Sequence, residues 1–200
     1  MHDATRLPRS AHASRPWRIH EIAPDFKLED VWALPTPGGP DDFPLLVEGF
    51  ATGEASQSPS RIARMLWAIR WKLGELFGWD DAEAGVGARV PSLRDRLPAD
   101  LRSSRGPEFD SLPFRPLYLL DDEFAAEVAN RIVHGIMHLG WVSDADGGHR
   151  GQMAVLVKPN GLLGHAYMAG IRPFRHLIVY PAMMRQVERR WSARLAPAGS

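Results

Sequence analysis

Two histidines and two glutamates near the middle of the chain have the side chains and the spacing for proton transfer. Glu123 and Glu127 precede His134 and His138, with a short turn at Asn130 between them. A carboxylate beside an imidazole orients the ring and raises its pKa, as a general acid or base requires. The pairs Glu127–His134 and Glu123–His138 are therefore candidate catalytic groups.

A structural role for these pairs fits the same pattern. Opposite charges that face each other on a solvated sheet surface are common and contribute about a few tenths of a kcal/mol. The alternation of residue types places both pairs on a polar face, away from the apolar residues that would line a cavity. We favour the structural interpretation and keep catalysis as the alternative.

No metal or cofactor site is expected. His134 and His138 are four residues apart, which brings two imidazoles together on a helix but separates them by roughly 13 Å on a strand. The neighbouring Ile132 and Val133 favour a strand. The chain also has no cysteine, no phosphate-binding loop, no G-x-S-x-G motif and no G-x-G-x-x-G motif after a strand.

These four residues belong to a series of four short predicted β segments. They cover roughly residues 114–121, 123–129, 132–142 and 150–158, separated by turn residues. Alternation gives the middle pair one apolar face, formed by Phe124, Ala126, Val128, Val133, Gly135, Met137, Leu139 and Trp141. The pattern predicts an antiparallel meander whose apolar face is covered by another element.

A turn at Asn130-Arg131 predicts the register of the two central strands. Facing residues then continue outward in pairs, which are Ala129 with Ile132, Glu127 with His134, Glu123 with His138, Val128 with Val133 and Phe124 with Met137. In this register, apolar residues face apolar residues on one side of the sheet, and each glutamate faces a histidine on the other side.

The N-terminal part of the chain predicts short elements. Residues 1–14 are polar and unpatterned, and we expect a disordered tail. Residues 16–22 are interpreted as a first edge strand and residues 28–34 as a short helical segment. Asp41 and Asp42 are positioned to cap a helix that ends near Ala51.

Residues 60–77 give the clearest helical pattern in the chain. Trp67 and Trp71 lie nearly opposite its apolar stripe, where they either pack on the preceding helix or form an exposed partner-binding pair. Residues 80–113 are rich in glycine and proline, which is typical of a functional or partly disordered loop.

The C-terminal part predicts two helices, over residues 162–171 and 173–195. The stripe of the second helix is Leu177, Tyr180, Met184, Val187, Trp191 and Leu195, while Arg175, Arg185, Arg189 and Arg190 lie away from it. Pro181 is expected to kink this helix, because proline removes a backbone donor. A membrane span is rejected, because Arg172, Arg175 and His176 interrupt the apolar run.

Composition limits the partners. The 200 residues carry 24 basic and 24 acidic side chains, so no overall field attracts nucleic acid. The N-terminus lacks the apolar run of a secretory signal, and we expect a cytoplasmic protein with one domain over residues 15–196. The oligomeric state is left open.

The order of elements resembles the START-like helix-grip fold, or SRPBCC superfamily, in which an antiparallel sheet grips a long C-terminal helix. Within it the chain is similar to an uncharacterised bacterial family. The resemblance rests on residues 92–98, on NRIVHGIMHLGWV at 130–142 and on MAVLVKPNGLLGHAYMAGIRPF at 153–174. It covers nearly everything after Arg15. It implies an α+β domain, with helices inserted after the first strand and a cavity for an apolar small molecule between sheet and last helix.

Candidate cavity residues follow from the predicted faces. The sheet contributes Met137, Leu139, Trp141, Met153 and Val155, and the last helix contributes Tyr180 and Met184. Methionine suits an adaptable apolar lining. Tyr118, Tyr167, His165 and His176 are candidates for polar groups at the cavity mouth. A fully packed core without a cavity is the competing interpretation.

Three functions are carried forward. The leading hypothesis is a carrier or sensor that binds an apolar or aromatic small molecule. The second is a cofactor-free cyclase, dehydratase or isomerase that uses a His–Glu pair. The third is a protein-interaction module that uses Trp67 and Trp71 or the basic side of the last helix.

Overall fold

The computed structural model of the chain describes residues 5–52, 90–110, 112–130, 133–144 and 146–195. These residues form an α+β structure around one six-stranded sheet with the strand order β1-β2-β6-β5-β4-β3, in which all neighbouring strands are antiparallel. The predicted helix over residues 60–77, with Trp67 and Trp71, lies outside the described residues.

The strands are β1 (Thr5–Arg6), β2 (Lys27–Ala33), β3 (Arg115–Leu119), β4 (Glu123–Ala129), β5 (Val133–Ser143) and β6 (His149–Pro159). The last four form the antiparallel meander that the alternation predicted. The two strands at the centre of the six-stranded sheet, β6 and β5, are eleven residues long each.

The helices are α1 (Ser10–Ala13), α2 (Ile19–Ile22), α3 (Phe43–Ala51), α4 (Gly161–Phe174) and α5 (Tyr180–Leu195). Two 3₁₀ turns, Leu93–Arg96 and Ala99–Leu101, follow α3 in the described chain. A π-helical segment, Arg175–Val179, joins α4 to α5 in one long C-terminal helical run. No helix in the described ranges is long and apolar enough to cross a membrane.

Both faces of the sheet are covered. The first face packs against α1, α2 and the 3₁₀ turns, with Trp17, Ile19 and Leu93 among its buried residues. The second face packs against α3 and α5, with Phe50 and Trp191 among its buried residues. The expectation of a solvated polar face is therefore wrong, and we call the first face the histidine face and the second the apolar face.

The predicted register of β4 and β5 is wrong by two residues. The backbone N–H of Asn130, which was expected in the turn, donates to the carbonyl of Val133 at 3.0 Å, so Asn130 still takes part in strand pairing. Ala129 therefore faces His134, and Glu127 faces Ile136. Because the shift is even, each side chain stays on its predicted face.

Three N-terminal predictions are corrected. Residues 19–22 form α2 rather than a strand, because Ile19 and Ile22 recur at helical spacing and both contact the sheet. Residues 28–34 were interpreted as helical, but residues 27–33 form β2, which hydrogen-bonds to the long edge of β6. Residues 5–14, assigned to a disordered tail, contain β1 and α1 and bury His12.

At Pro181, where a kink was expected, the helical run contains a π-helical segment just before the proline. Tyr180 donates its backbone N–H to the carbonyl of Arg175, five residues back, just before proline removes the next donor. The widened turn changes the phase of the helix. Leu177, predicted on the buried stripe, is consequently 76% exposed, whereas Tyr180 and Trp191 are buried.

Close packing of Trp17 on Gly140 of β5 gives a test of how the histidine face is covered. A Cβ at Gly140 would lie 2.7 Å from a ring atom of Trp17, whereas a Cβ at Gly170 in α4 meets nothing within 4 Å. Gly140→Ala is expected to lower the free energy of unfolding by about 1–3 kcal/mol in urea denaturation.

The matched change Gly170→Ala is expected to raise the free energy of unfolding by up to about 1 kcal/mol, because alanine favours the helix. Equal effects of the two substitutions would contradict the packing of Trp17 on the sheet.

Candidate functional site

Glu123 joins the sheet to the N-terminal segment. Its carboxylate, at the start of β4, accepts hydrogen bonds from the backbone N–H groups of Arg18 at 2.9 Å and Ile19 at 3.1 Å. It also accepts from the hydroxyl of Tyr118 at 2.5 Å and lies 3.0 Å from Nε2 of His138. The first two donors are the free N–H groups at the start of α2, where a negative charge is stabilising.

Glu127 has the same role for the 3₁₀ turns. Its carboxylate accepts from the hydroxyl of Ser92 at 2.5 Å and from the backbone N–H of Leu93 at 3.1 Å, and lies 2.8 Å from Nε2 of His134. The ring of Phe26 packs edge-on against His134. Each glutamate therefore holds one covering element against the sheet.

Burial and hydrogen bonding act in opposite directions on the two carboxyl groups. Burial by itself would raise the pKa of Glu123 and of Glu127. Hydrogen bonds from His138 and His134, with those from Tyr118, Ser92 and the backbone, outweigh burial and lower both pKa values. Both glutamates are thus carboxylates at neutral pH.

His12 extends the first pair into a chain of buried groups. Its Nε2 lies 3.1 Å from Nδ1 of His138, and its ring packs against His20. Burial, and then the charges of His138 and His20, lower the pKa of His12 to about 2. His12 is therefore neutral, and its Nδ1 has no hydrogen-bond partner in the described part of the chain.

The cavity predicted between the sheet and the last helix lies on the apolar face and has a volume of about 340 Å³. Sheet, α3 and α5 form its walls. From the sheet and the chain before it, the lining residues are Leu112, Phe114, Val128, Gly135, Ile136, Met137, Met153 and Val155. From the helical elements they are Leu45, Leu46, Gly49, Phe50, Val179, Tyr180, Ala182, Met183, Gln186, Val187, Arg190, Trp191 and Arg194. Leu45 and Arg194 are exposed, so the cavity reaches the surface at their end.

Four of the candidate cavity residues line this cavity, namely Met137, Met153, Val155 and Tyr180. Leu139, Trp141 and Met184 are buried on the same face but pack in the core beside it. The indole N–H of Trp141 donates to the carbonyl of Gly39 at 2.9 Å, which ties this ring to the chain before α3.

The polar candidates for the cavity mouth lie elsewhere. Tyr118 is on the opposite face, because its hydroxyl donates to Glu123, and a bulge between Pro116 and Tyr118 changes the alternation of β3. Tyr167, half-buried in α4, and the exposed His165 do not line the cavity. His176 belongs to a charged cluster beside it.

That cluster surrounds Asp30, a nearly fully buried residue of β2 that was not predicted as a site residue. Tyr180 donates its hydroxyl to Asp30 at 2.9 Å, and Arg175 lies 2.8 Å from the same carboxylate. Nε2 of His176 lies at 3.1 Å and Arg6 at 3.3 Å. The π-helical turn places Arg175 over Tyr180, which allows both side chains to reach one carboxylate. The cluster fixes the start of α5 at the edge of the sheet.

Residues of α3, and part of the face of α5, line the cavity without having been predicted to do so. Leu46 and Phe50, at helical spacing in α3, contact the cavity, as do Met183, Gln186 and Arg190 in α5. Arg190 and Arg175, both assigned to a basic outer side, are half-buried. The helical spacing of apolar residues in 43–51 was the pattern that indicated a buried side of α3.

The chain belongs to a protein family described as "Protein of unknown function (DUF2867)", whose pattern matches residues 22–182. No curated protein and no solved structure matches the chain.

Glu123→Gln tests the anchoring role of the carboxylate. Glutamine keeps one accepting oxygen, which can serve Ile19, Tyr118 and His138, but its NH₂ group then faces the backbone N–H of Arg18 and the negative charge is lost. The free energy of unfolding should therefore fall by about 2–4 kcal/mol. The control Glu21→Gln alters an exposed ion pair with Arg18 and should change it by less than about 0.5 kcal/mol. Equal effects in chemical denaturation at pH 7.5 would refute the anchoring role.

His12 predicts a pH dependence of stability. The unfolded chain protonates His12 near its ordinary value of 6.5, whereas the folded chain does so only near 2. Stability therefore falls as the pH is lowered through this window, by about 1.5 kcal/mol between pH 6.5 and 5.0. This part of the loss should disappear in His12→Gln.

The exposed His165 supplies the control, because His165→Gln should keep the wild-type pH dependence. The pKa of His176 is also lowered, chiefly by burial, but His176 is present in all three proteins and cancels in the comparison. Identical slopes for His12→Gln and wild type in urea denaturation would show that His12 is protonated in the folded state.

Proposed function

We propose that the chain is a START-like helix-grip protein that binds an apolar or aromatic small molecule between its sheet and α5. The observation that carries this proposal is the cavity of about 340 Å³ on the apolar face. Its volume falls within the range of roughly 300–1,000 Å³ that is typical of small-molecule sites. A bacterial origin and a role as a cytoplasmic carrier or sensor form part of this proposal.

The chemistry of the lining supports an apolar ligand. Met137, Met153 and Met183 bring flexible thioethers, and Phe50 and Phe114 bring aromatic surface. Methionine adapts to ligands of different shape, and aromatic rings contribute large contact areas. Removing an apolar molecule from water into such a lining is favoured by about 25 cal/mol for each Å² buried.

The location of the His–Glu pairs does not favour the enzymatic alternative. Glu123, Glu127, His134 and His138 are buried on the histidine face, whereas the cavity opens on the other side of the sheet. Their carboxylates are engaged with the backbone of covering elements. Buried groups that hold covering elements in place are suited to structure rather than to turnover.

Filling the cavity tests the proposed function. Val187 lines the cavity, and Val187→Phe places a ring in the space that the ligand would take. We expect decanol, and the uncharged fluorescent probe N-phenyl-1-naphthylamine, to bind the wild-type protein and to bind this variant at least about tenfold more weakly. Fluorescence titration measures probe binding, and decanol is detected by its displacement of the probe.

Ser192→Phe is the control, because it adds the same ring at an exposed position of α5. It should leave binding unchanged. If neither ligand binds the wild-type protein, or if both substitutions have the same effect, the cavity is not a site for apolar ligands.

A further inference from the structure

The cavity has a cationic end. Gln186, Arg190 and Arg194 recur every four residues along α5 and therefore share the helix face that lines the cavity. Among the lining residues that the structure describes, none carries a carboxylate. The lining therefore combines an apolar body with positive charge at the end where Leu45 and Arg194 reach solvent.

The two arginines differ in their partners. Arg194 donates to the carbonyl of Leu45 at 2.8 Å and pairs with Glu48 at 3.2 Å, so a second side chain already compensates its charge. Arg190 donates one long hydrogen bond, 3.4 Å, to the carbonyl of Gly49. No carboxylate in the described part of the chain pairs with it. A guanidinium has five N–H donors, so most of the capacity of Arg190 is available to a ligand.

Helix geometry explains only part of this arrangement. Basic residues near the end of α5 offset the negative end of the helix dipole, and an arginine stem can cover apolar surface while its charge reaches water. Arg194 is the basic residue in the last turn of α5 and serves the first purpose, while Arg185 and Arg189 are exposed and do not line the cavity. Arg190, in contrast, is half-buried in a lining that is mostly apolar, where a charge is stabilised most by an anion.

We propose that the ligand is an amphipathic carboxylate whose apolar body fills the cavity and whose carboxylate pairs with Arg190. This inference rests on the proposed function and names its ligand class. Gln186, one turn earlier on the same face, supplies an amide N–H to the same head group. Planar guanidinium and carboxylate groups pair through two parallel hydrogen bonds, which favours carboxylates over alcohols of the same length.

The volume sets the size of a suitable probe. At about 30 Å³ for each water-sized group, 340 Å³ holds about eleven such groups. Decanoate, with about a dozen non-hydrogen atoms, matches this space, and decanol is its uncharged counterpart of equal chain length. The pair separates the contribution of the apolar chain from that of the charge.

Isothermal titration of both probes at pH 7.5 tests the inference. The wild-type protein should bind decanoate about tenfold more tightly than decanol, because a charge-assisted hydrogen bond is stronger than a neutral one. Arg190→Gln should remove this preference, because it should weaken decanoate binding about tenfold more than decanol binding. Arg185→Gln, which removes the same charge from an exposed position of α5, should keep the preference.

The outcomes separate the two proposals. Equal binding of decanoate and decanol by the wild-type protein, or equal effects of Arg190→Gln and Arg185→Gln, overturns the carboxylate inference and leaves the apolar site standing. If neither decanoate nor decanol binds the wild-type protein, the proposed function itself is overturned. A circular-dichroism melt of Arg190→Gln identifies any loss of fold, in which case Arg190→Lys, which keeps the charge but loses the planar fork, should show an intermediate preference.

Discussion

Two buried carboxylates of β4 determine how the sheet is covered. Glu123 and Glu127 are on the histidine face of the sheet, and a buried charge without partners would be strongly destabilising. Both find their donors in segments distant in sequence, at the starts of α2 and of the first 3₁₀ turn. Those segments cover the histidine face, and this cover leaves the opposite, apolar face as the one that forms the cavity.

The cavity depends on a second buried carboxylate cluster. The carboxylate of Asp30 is contacted by the side chains of Tyr180, Arg175, His176 and Arg6. These contacts attach the C-terminal helical run to β2 near one edge of the sheet. At its far end, α5 contacts the chain before and within α3, where the indole N–H of Trp191 donates to the carbonyl of Pro37 at 2.9 Å. Held at both ends, α5 spans the apolar face, and short side chains such as Val187 and Ala182 leave space beneath it.

Local sequence patterns predicted the meander and its faces, because alternation has a period that a two-residue shift of register does not alter. They also predicted α3 and the C-terminal helices. They missed β2 and α2, whose conformations depend on distant partners: the free edge of β6 for β2, and Glu123 for α2. The burial of His134 and His138 was unpredictable for the same reason, since the residues that cover them come from separate parts of the chain. Four lining residues were predicted, and Arg190 was misplaced because its charge was taken to indicate solvent, although it follows Val187 by three residues on the same side of α5.

Binding of an apolar molecule between the apolar face and α5 is a proposal that can be measured at the level of single contacts. Methyl-labelled methionine offers the most direct measurement, because Met137, Met153 and Met183 line the cavity and Met168 lies on α4 away from it. In the complex with decanol, nuclear Overhauser effects should connect the ligand to the three lining methionines and not to Met168. Contacts to Met168 alone, or no contact to the three lining methionines at saturating decanol, would show that decanol does not bind between the apolar face and α5.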